Sequence, residues 1–165
     1  MILVEADVSE EWDSRTDWPA LAERCVHAAV AHSCHAALAE AEKEISVKFT
    51  SDDEIRTLNA DWRGRDKPTN VLSFPMVEEA ELASPAEPLL GDIVLARGVC
   101  AAEAQDRKIP VEDHAAHLVV HGTLHLLGYD HETSEADAEE MEETERRALA
   151  AIGIADPYKV TEVQS

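Results

Sequence analysis

The 165-residue chain is predicted to fold as an α+β domain, a small mixed sheet packed by helices with one histidine-bearing helix buried across it. Segments of helical and of strand character alternate along the chain. A hydrophobic content of 45 % at this length is enough for one core, and no internal repeat is present. The expected organisation is therefore a single domain over residues 1–155 followed by a loosely ordered tail, 156–165.

Residues 2–8 read as a strand and residues 17–41, rich in alanine with Pro19 near the start, as one long helix. Ile45-Ser-Val-Lys-Phe-Thr50 alternates with period two, the mark of a strand with one buried face. Ser51-Asp-Asp-Glu54 then has the spacing of a capping box opening a short helix toward Trp62. Residues 71–75 and 92–96 are short apolar strands. The connector 77–90, with Pro85, Pro88 and several acids, reads as an exposed, mobile loop. Helices are expected over 97–107, over 110–127 with Pro110 in the first turn, and over 134–151.

The run His121-Gly-Thr-Leu-His125-Leu-Leu-Gly128-Tyr-Asp-His131 carries the strongest chemical signal. Two histidines four apart share one helix face, so their rings can converge on one ion. Gly128 stands where a left-handed turn ends a helix, which lets His131 return as a third ligand. Three nitrogens leave a fourth position open, as in catalytic zinc sites, at the C-terminal end of a central helix. The spacing matches the protease pattern His-Glu-x-x-His-x-x-Gly-x-x-His except that Gly122 replaces the general base, which argues against peptide hydrolysis. His117 continues the spacing of four, but His117 and His125 would lie about 12 Å apart along the axis, too far for one ion. His117 is then a residue behind the ligands, a substrate contact, or simple packing. His114 is expected on another, exposed face.

The histidine run, with Asn59-Ala-Asp-Trp-Arg63-Gly-Arg-Asp66-Lys-Pro-Thr69-Asn-Val-Leu-Ser73-Phe-Pro75 and Gly91-Asp92-Ile93, resembles the YbeY-type endoribonucleases of bacterial ribosomal RNA maturation. The blocks stand in that family's order and cover most of residues 45–131; Asn70 departs from the aspartate more often found there. The resemblance implies a zinc-dependent ribonuclease preferring single strands, with His121, His125 and His131 as ligands and Arg63 as the functional arginine. It further implies work on small-subunit ribosomal RNA and contact with the ribosome, ribosomal proteins or an assembly GTPase.

Fourteen basic against thirty-five acidic residues give a formal net charge of -21, which opposes a polyanionic substrate at long range. Screening beyond about 10 Å lets local charge decide at contact distance. Arg56, Arg63, Arg65 and Lys67 form the densest basic stretch. A planar guanidinium at Arg63 can grip a phosphate, the alternative being an ion pair with Asp61 or Asp66. Arg65 and Lys67 are backbone-contact candidates, and Ser73 is a substrate contact if its strand end faces the cleft. Trp62 and Phe74 are read as core residues before base-stacking ones. The eight acids between Glu132 and Glu145 are read as a solvated helix face.

The chemistry expected is phosphodiester hydrolysis assisted by one Zn2+ ion, with the phosphorus placed by Arg63. Attack by the RNA's own ribose hydroxyl is equally compatible. Asp130 and Glu132, flanking His131, are candidates for the base or for orienting a ligand ring; Asp92 either buttresses a ligand or caps the next helix. A metalloprotease or other metallohydrolase, and a ribosome-assembly binding protein with structural zinc, are the alternative classes. No run of about 18 apolar residues suggests a membrane span, and the start carries no basic region before its apolar stretch. The three cysteines, Cys25, Cys34 and Cys100, lack zinc-ribbon spacing and read as reduced, mostly buried residues of a cytoplasmic protein.

Overall fold

The structure, a computed structural model, describes residues 1–158. In chain order it holds β1 (Ile2–Val8), α1 (Trp18–His32), β2 (Lys43–Thr50), α2 (Asp52–Arg63), β3 (Val71–Pro75), β4 (Leu89–Ala96), α3 (Arg97–Arg107), α4 (Val111–Leu126) and α5 (Glu135–Ala151). The four strands form one sheet in the order β1-β2-β4-β3; β1, β2 and β4 run parallel and β3 runs antiparallel to β4. This is the mixed sheet the sequence predicts. Its parallel pairs are bridged by helical crossovers, as parallel pairing demands.

Period-two alternation divides the strand residues between two faces. Ile45, Val47 and Phe49 of β2 and Ile93 and Leu95 of β4 join the main core with Ala22, Val26 and Ala29 of α1 and Ala116, Val119 and Val120 of α4. On the other face, Leu72, Val94 and Ala96 pack with Ile55 of α2. Because α4 is covered by the sheet, α1, α3 and α5, nearly all of its residues are buried. At its C-terminal end, beside β3, His121 and His125 are part-exposed, as Val111, Glu112 and Asp113 are at its start.

Four local expectations need correction. The helix predicted over 17–41 ends at His32, because Ser33 is extended and turns its hydroxyl back on Val30 O at 2.8 Å; a separate 3-10 turn follows at Ala36–Glu40. Ser51 caps α2 by accepting from Glu54 N at 3.1 Å, but the Glu54 carboxylate does not reciprocate; it accepts from Lys48 and Thr50 instead. The 77–90 connector is tied down, with Leu82 in the core and the Lys43 ammonium donating to Ser84 O at 2.6 Å and Glu87 O at 2.9 Å. Of the tail expected to be loosely ordered, Asp156 and Tyr158 are tied down: Arg146 Nε pairs with Asp156 at 3.2 Å, and Tyr158 packs on His117. Residues 159–165, the rest of the expected tail, lie outside the described residues.

Candidate metal centre and its cleft

Helix α4 begins after Pro110, whose φ of -62° suits the entry, with Glu112 and Asp113 placed against the positive end of the helix dipole. It ends in a Schellman motif: Gly128 N donates to His125 O and Tyr129 N to Leu124 O, both at 3.0 Å. Gly128 supports this with a φ of +99°, a region that L side chains rarely adopt. The reversal swings residues 129–131 back beside the last turn. As a result the ligand nitrogens of His121, His125 and His131 all lie within 4.8 Å of one another.

The rings are oriented from behind. His121 Nδ1 donates to Glu145 Oε2 at 2.7 Å, and His125 Nδ1 donates to Tyr129 O at 3.0 Å. Each bond leaves Nε2 free, and the two Nε2 atoms are 3.1 Å apart. Tetrahedral zinc with bonds of about 2.0–2.1 Å would set them about 3.3 Å apart, so this pair fits the ion with minimal movement. Burial, reinforced by the neighbouring His121 and His131, pushes the His125 imidazole down to about 4, so at neutral pH it is in the uncharged form that a metal ion requires. The donor set, three imidazoles opening on a cleft, suits a catalytic divalent ion.

Glu145 is the residue that sequence reasoning missed. It lies on the face of α5 taken for a solvated surface, yet it is 0 % exposed and accepts from His121, from His117 Nε2 at 2.9 Å and from the Tyr158 hydroxyl. Burial alone would raise its carboxyl, but the bonds from His117 and His121 outweigh that and hold it at about 2. An ionised carboxylate only accepts, so the tautomers of both histidines are set. His117, 7 % exposed, therefore belongs behind His121 and does not line the cleft as a substrate contact would. His117, His121 and Glu145 also lie close enough to hold an ion, but Glu145 already receives both imidazole protons there. His114, expected to be exposed, is buried; its Nε2 donates to Glu103 Oε1 at 2.7 Å. The same oxygen accepts from Asn70 Nδ2 at 3.0 Å, a contact that an aspartate at 70 would turn into carboxylate against carboxylate.

Gly122 explains the missing base. A Cβ built there would come within 2.8 Å of Ile93 Cγ2 and 3.0 Å of Ser73 Oγ, so α4 lies flat on β3 and β4 with no room for a glutamate. Position 122 faces the sheet rather than the ion.

The imidazoles open into a cleft of about 720 Å³ whose walls include Arg63, Asn70, Ser73, Asp130 and Glu132. Arg63 is the last residue of α2, before the left-handed Gly64, and among the described residues it forms no ion pair. Asp66, one of its two expected partners, pairs with Arg56 at 2.8 Å instead. Ser73 lines the cleft while its hydroxyl donates to Gly122 O at 3.3 Å. Asp130 accepts from the backbone of Glu132 at 2.8 Å; the two ring-orienting acceptors are Glu145 and Tyr129 O, not these acids. Arg65 and Lys67 are exposed on the turn after α2, outside the cleft walls.

Asp92 performs neither expected job. It is exposed on the opposite face of the sheet, in a groove with Asp7 and Lys48, and the α3 amides of Gly98 and Val99 are capped by Asp52. Trp62 is not core either: it is 71 % exposed and stands edge-on to Phe74 at the lip of the cleft, 6.2 Å between centroids. Cys25 and Cys100 are buried as expected, whereas Cys34 is exposed. No described helix is long and apolar enough to cross a membrane.

Comparison with known proteins agrees with this geometry. The family model described as Endoribonuclease YbeY matches residues 8–153. The protein named Endoribonuclease YbeY from Rhizorhabdus wittichii is 50 % identical over 169 aligned residues, spanning 98 % of this chain and 99 % of its own. Its namesake from Novosphingobium aromaticivorans is 49 % identical over 163 residues, 96 % of each chain. The solution structure of TM1509 from Thermotoga maritima superposes with a TM-score of 0.56 at 25 % identity, covering 97 % of this chain and 100 % of that one. With the model matched over nearly all of the described chain and relatives at about half identity, the protein belongs to the endoribonuclease YbeY family.

Proposed function

We propose that this chain is a zinc-dependent endoribonuclease that cuts single-stranded RNA during maturation of small-subunit ribosomal RNA and in ribosome quality control. Its catalytic unit is one domain reaching Tyr158. It works in the cytoplasm in contact with the ribosome, through ribosomal proteins or an assembly GTPase. The observation that carries the reading is the convergence of His121, His125 and His131 at a cleft that Arg63 also lines. The naming of relatives at about half identity as endoribonucleases supports the substrate class.

A zinc ion held by the three imidazoles would supply Lewis acidity and an acidified water. The chain's own residues do the rest. Arg63 grips a non-bridging phosphate oxygen and stabilises charge developing on it. Trp62 at the lip offers a face on which an unpaired base can stack, whereas a duplex keeps its bases turned inward. Arg65 and Lys67, beyond the cleft wall, meet flanking phosphates, which offsets the overall negative charge locally. Ser73 contacts the substrate from β3, and Asp130 or Glu132 takes up the proton released on attack.

The test is cleavage of end-labelled single-stranded and duplex RNA of one sequence by protein stripped with a chelator and then reloaded. Activity that vanishes on stripping, returns with zinc and favours the single strand supports the proposal; cutting that ignores the metal or prefers the duplex refutes it.

A further inference from the structure

Cys34, His35 and Glu79 bring a thiol, an imidazole and a carboxylate together with their ligand atoms all within 4.8 Å. They share no residue with the three-imidazole centre. The cluster exists because α1 stops at His32: Ser33 Oγ accepts from His35 N at 3.0 Å, and Cys34 N donates to the Tyr129 hydroxyl at 2.8 Å, so both side chains face the 77–90 connector. There His35 Nε2 meets Glu79 Oε2 at 2.8 Å. The adjoining recess, about 430 Å³, is lined by Cys34 and by the acids Glu79, Asp130, Asp137 and Glu140.

We propose that Cys34, His35 and Glu79 form a second binding site for a borderline-soft divalent cation of the zinc class. A thiolate and an imidazole select such an ion over magnesium or calcium, and the carboxylate completes three protein ligands with a fourth position left for water. Donors around tetrahedral zinc lie about 3.3–3.8 Å apart, so the present spacing closes by small rotations of Glu79, which is more than half exposed. The Cys34 thiol gives its proton to solvent as its sulfur ligates, His35 passes to the tautomer protonated on Nδ1 by releasing its Nε2 proton to solvent and taking one up at Nδ1, and the His35–Glu79 hydrogen bond is exchanged for two metal bonds. The acidic recess raises the local cation concentration.

The site cross-links the end of α1 to the connector directly under the Gly128 turn. The Glu79 carboxylate already presses there; a Cβ on Gly128 would come within 2.7 Å of it. Occupancy would hold this carboxylate against the turn that carries Tyr129 and His131. The site thereby stiffens the imidazole centre from outside without supplying a ligand to it.

The experiment counts Zn2+ bound per full-length chain, by titration against a chromophoric chelator, and follows Cys34 alkylation by iodoacetamide with and without Zn2+. Wild type is expected to bind two equivalents, His125→Ala one, and His125→Ala combined with Glu79→Gln none. In His125→Ala, where the imidazole centre is disabled, Zn2+ is expected to slow Cys34 alkylation by about tenfold or more, and Glu79→Gln to abolish that protection. Circular dichroism confirms folding of each variant. The proposal is overturned if alkylation of Cys34 in folded His125→Ala ignores Zn2+, or if its remaining equivalent survives Glu79→Gln. Loss of the imidazole site alone would leave the Cys34 result intact, so the two sites fail separately.

Discussion

His121 Nδ1 lies 2.7 Å from Glu145 Oε2, a contact that spans 24 residues of sequence and joins the metal helix to α5 through a carboxylate with no solvent exposure. An acceptor behind a ligand imidazole fixes its tautomer and makes its free nitrogen a better donor. Glu145→Gln keeps the shape but removes the charge. It is expected to weaken zinc binding about 10–100-fold, measured by chelator competition, with far-ultraviolet circular dichroism unchanged. Unaltered affinity would mean that His121 is held by packing alone.

Gly122 gives a stability prediction of definite sign. Gly→Ala inside a helix gains about 1 kcal/mol of propensity, whereas overpacking a closed core costs about 1–3 kcal/mol. The new methyl would meet Ile93, which is fully buried and has nowhere to move. Gly122→Ala should therefore lower the denaturant midpoint, and Gly122→Glu should lower it further without creating peptidase activity. A stabilised Gly122→Ala protein would show that α4 can lift from the sheet.

Burial lowers the His114 pKa from its ordinary 6.5 despite the opposing pull of Glu103. In the unfolded chain His114 takes up a proton near the ordinary value, before the folded chain does. The stability this neutral imidazole contributes is thus complete above 6.5 and is lost as pH falls from there through the lowered folded value. Chemical denaturation at several pH values should show a shallower acid loss for His114→Gln than for wild type; parallel curves would argue against a buried neutral imidazole.

What the sequence made legible is what local rules decide. The convergence of His121, His125 and His131 was readable because i, i+4 spacing and a glycine reversal are local geometry, and the starts of α2 and α4 follow their capping and proline signals. Glu145 and His114 were hidden because their partners come from other elements: an acid on a charged helix looks the same whether it faces water or two imidazoles. Trp62 was misread for the opposite reason, since an aromatic residue normally signals core, and only the position of α2 at the sheet's edge leaves it at the cleft lip. The early end of α1 was hidden because a serine is a weak stop signal: Ser33 turns its hydroxyl back on Val30 O, and Cys34 N then donates to Tyr129 across 95 residues.

The division of labour at the cleft is the central claim: His125 holds the ion and Arg63 acts on the substrate without supporting the fold. Arg63 is exposed and forms no ion pair among the described residues, so Arg63→Ala should shift stability by less than about 0.5 kcal/mol. The measurement is single-turnover cleavage of an end-labelled single-stranded RNA by wild type, Arg63→Ala and His125→Ala, each prepared identically with its zinc content determined. Arg63→Ala is predicted to keep its zinc and its fold while cutting about 10²–10³-fold more slowly, and His125→Ala to lose both zinc and cutting. Equal cleavage by wild type and a zinc-loaded, folded Arg63→Ala protein would contradict the account.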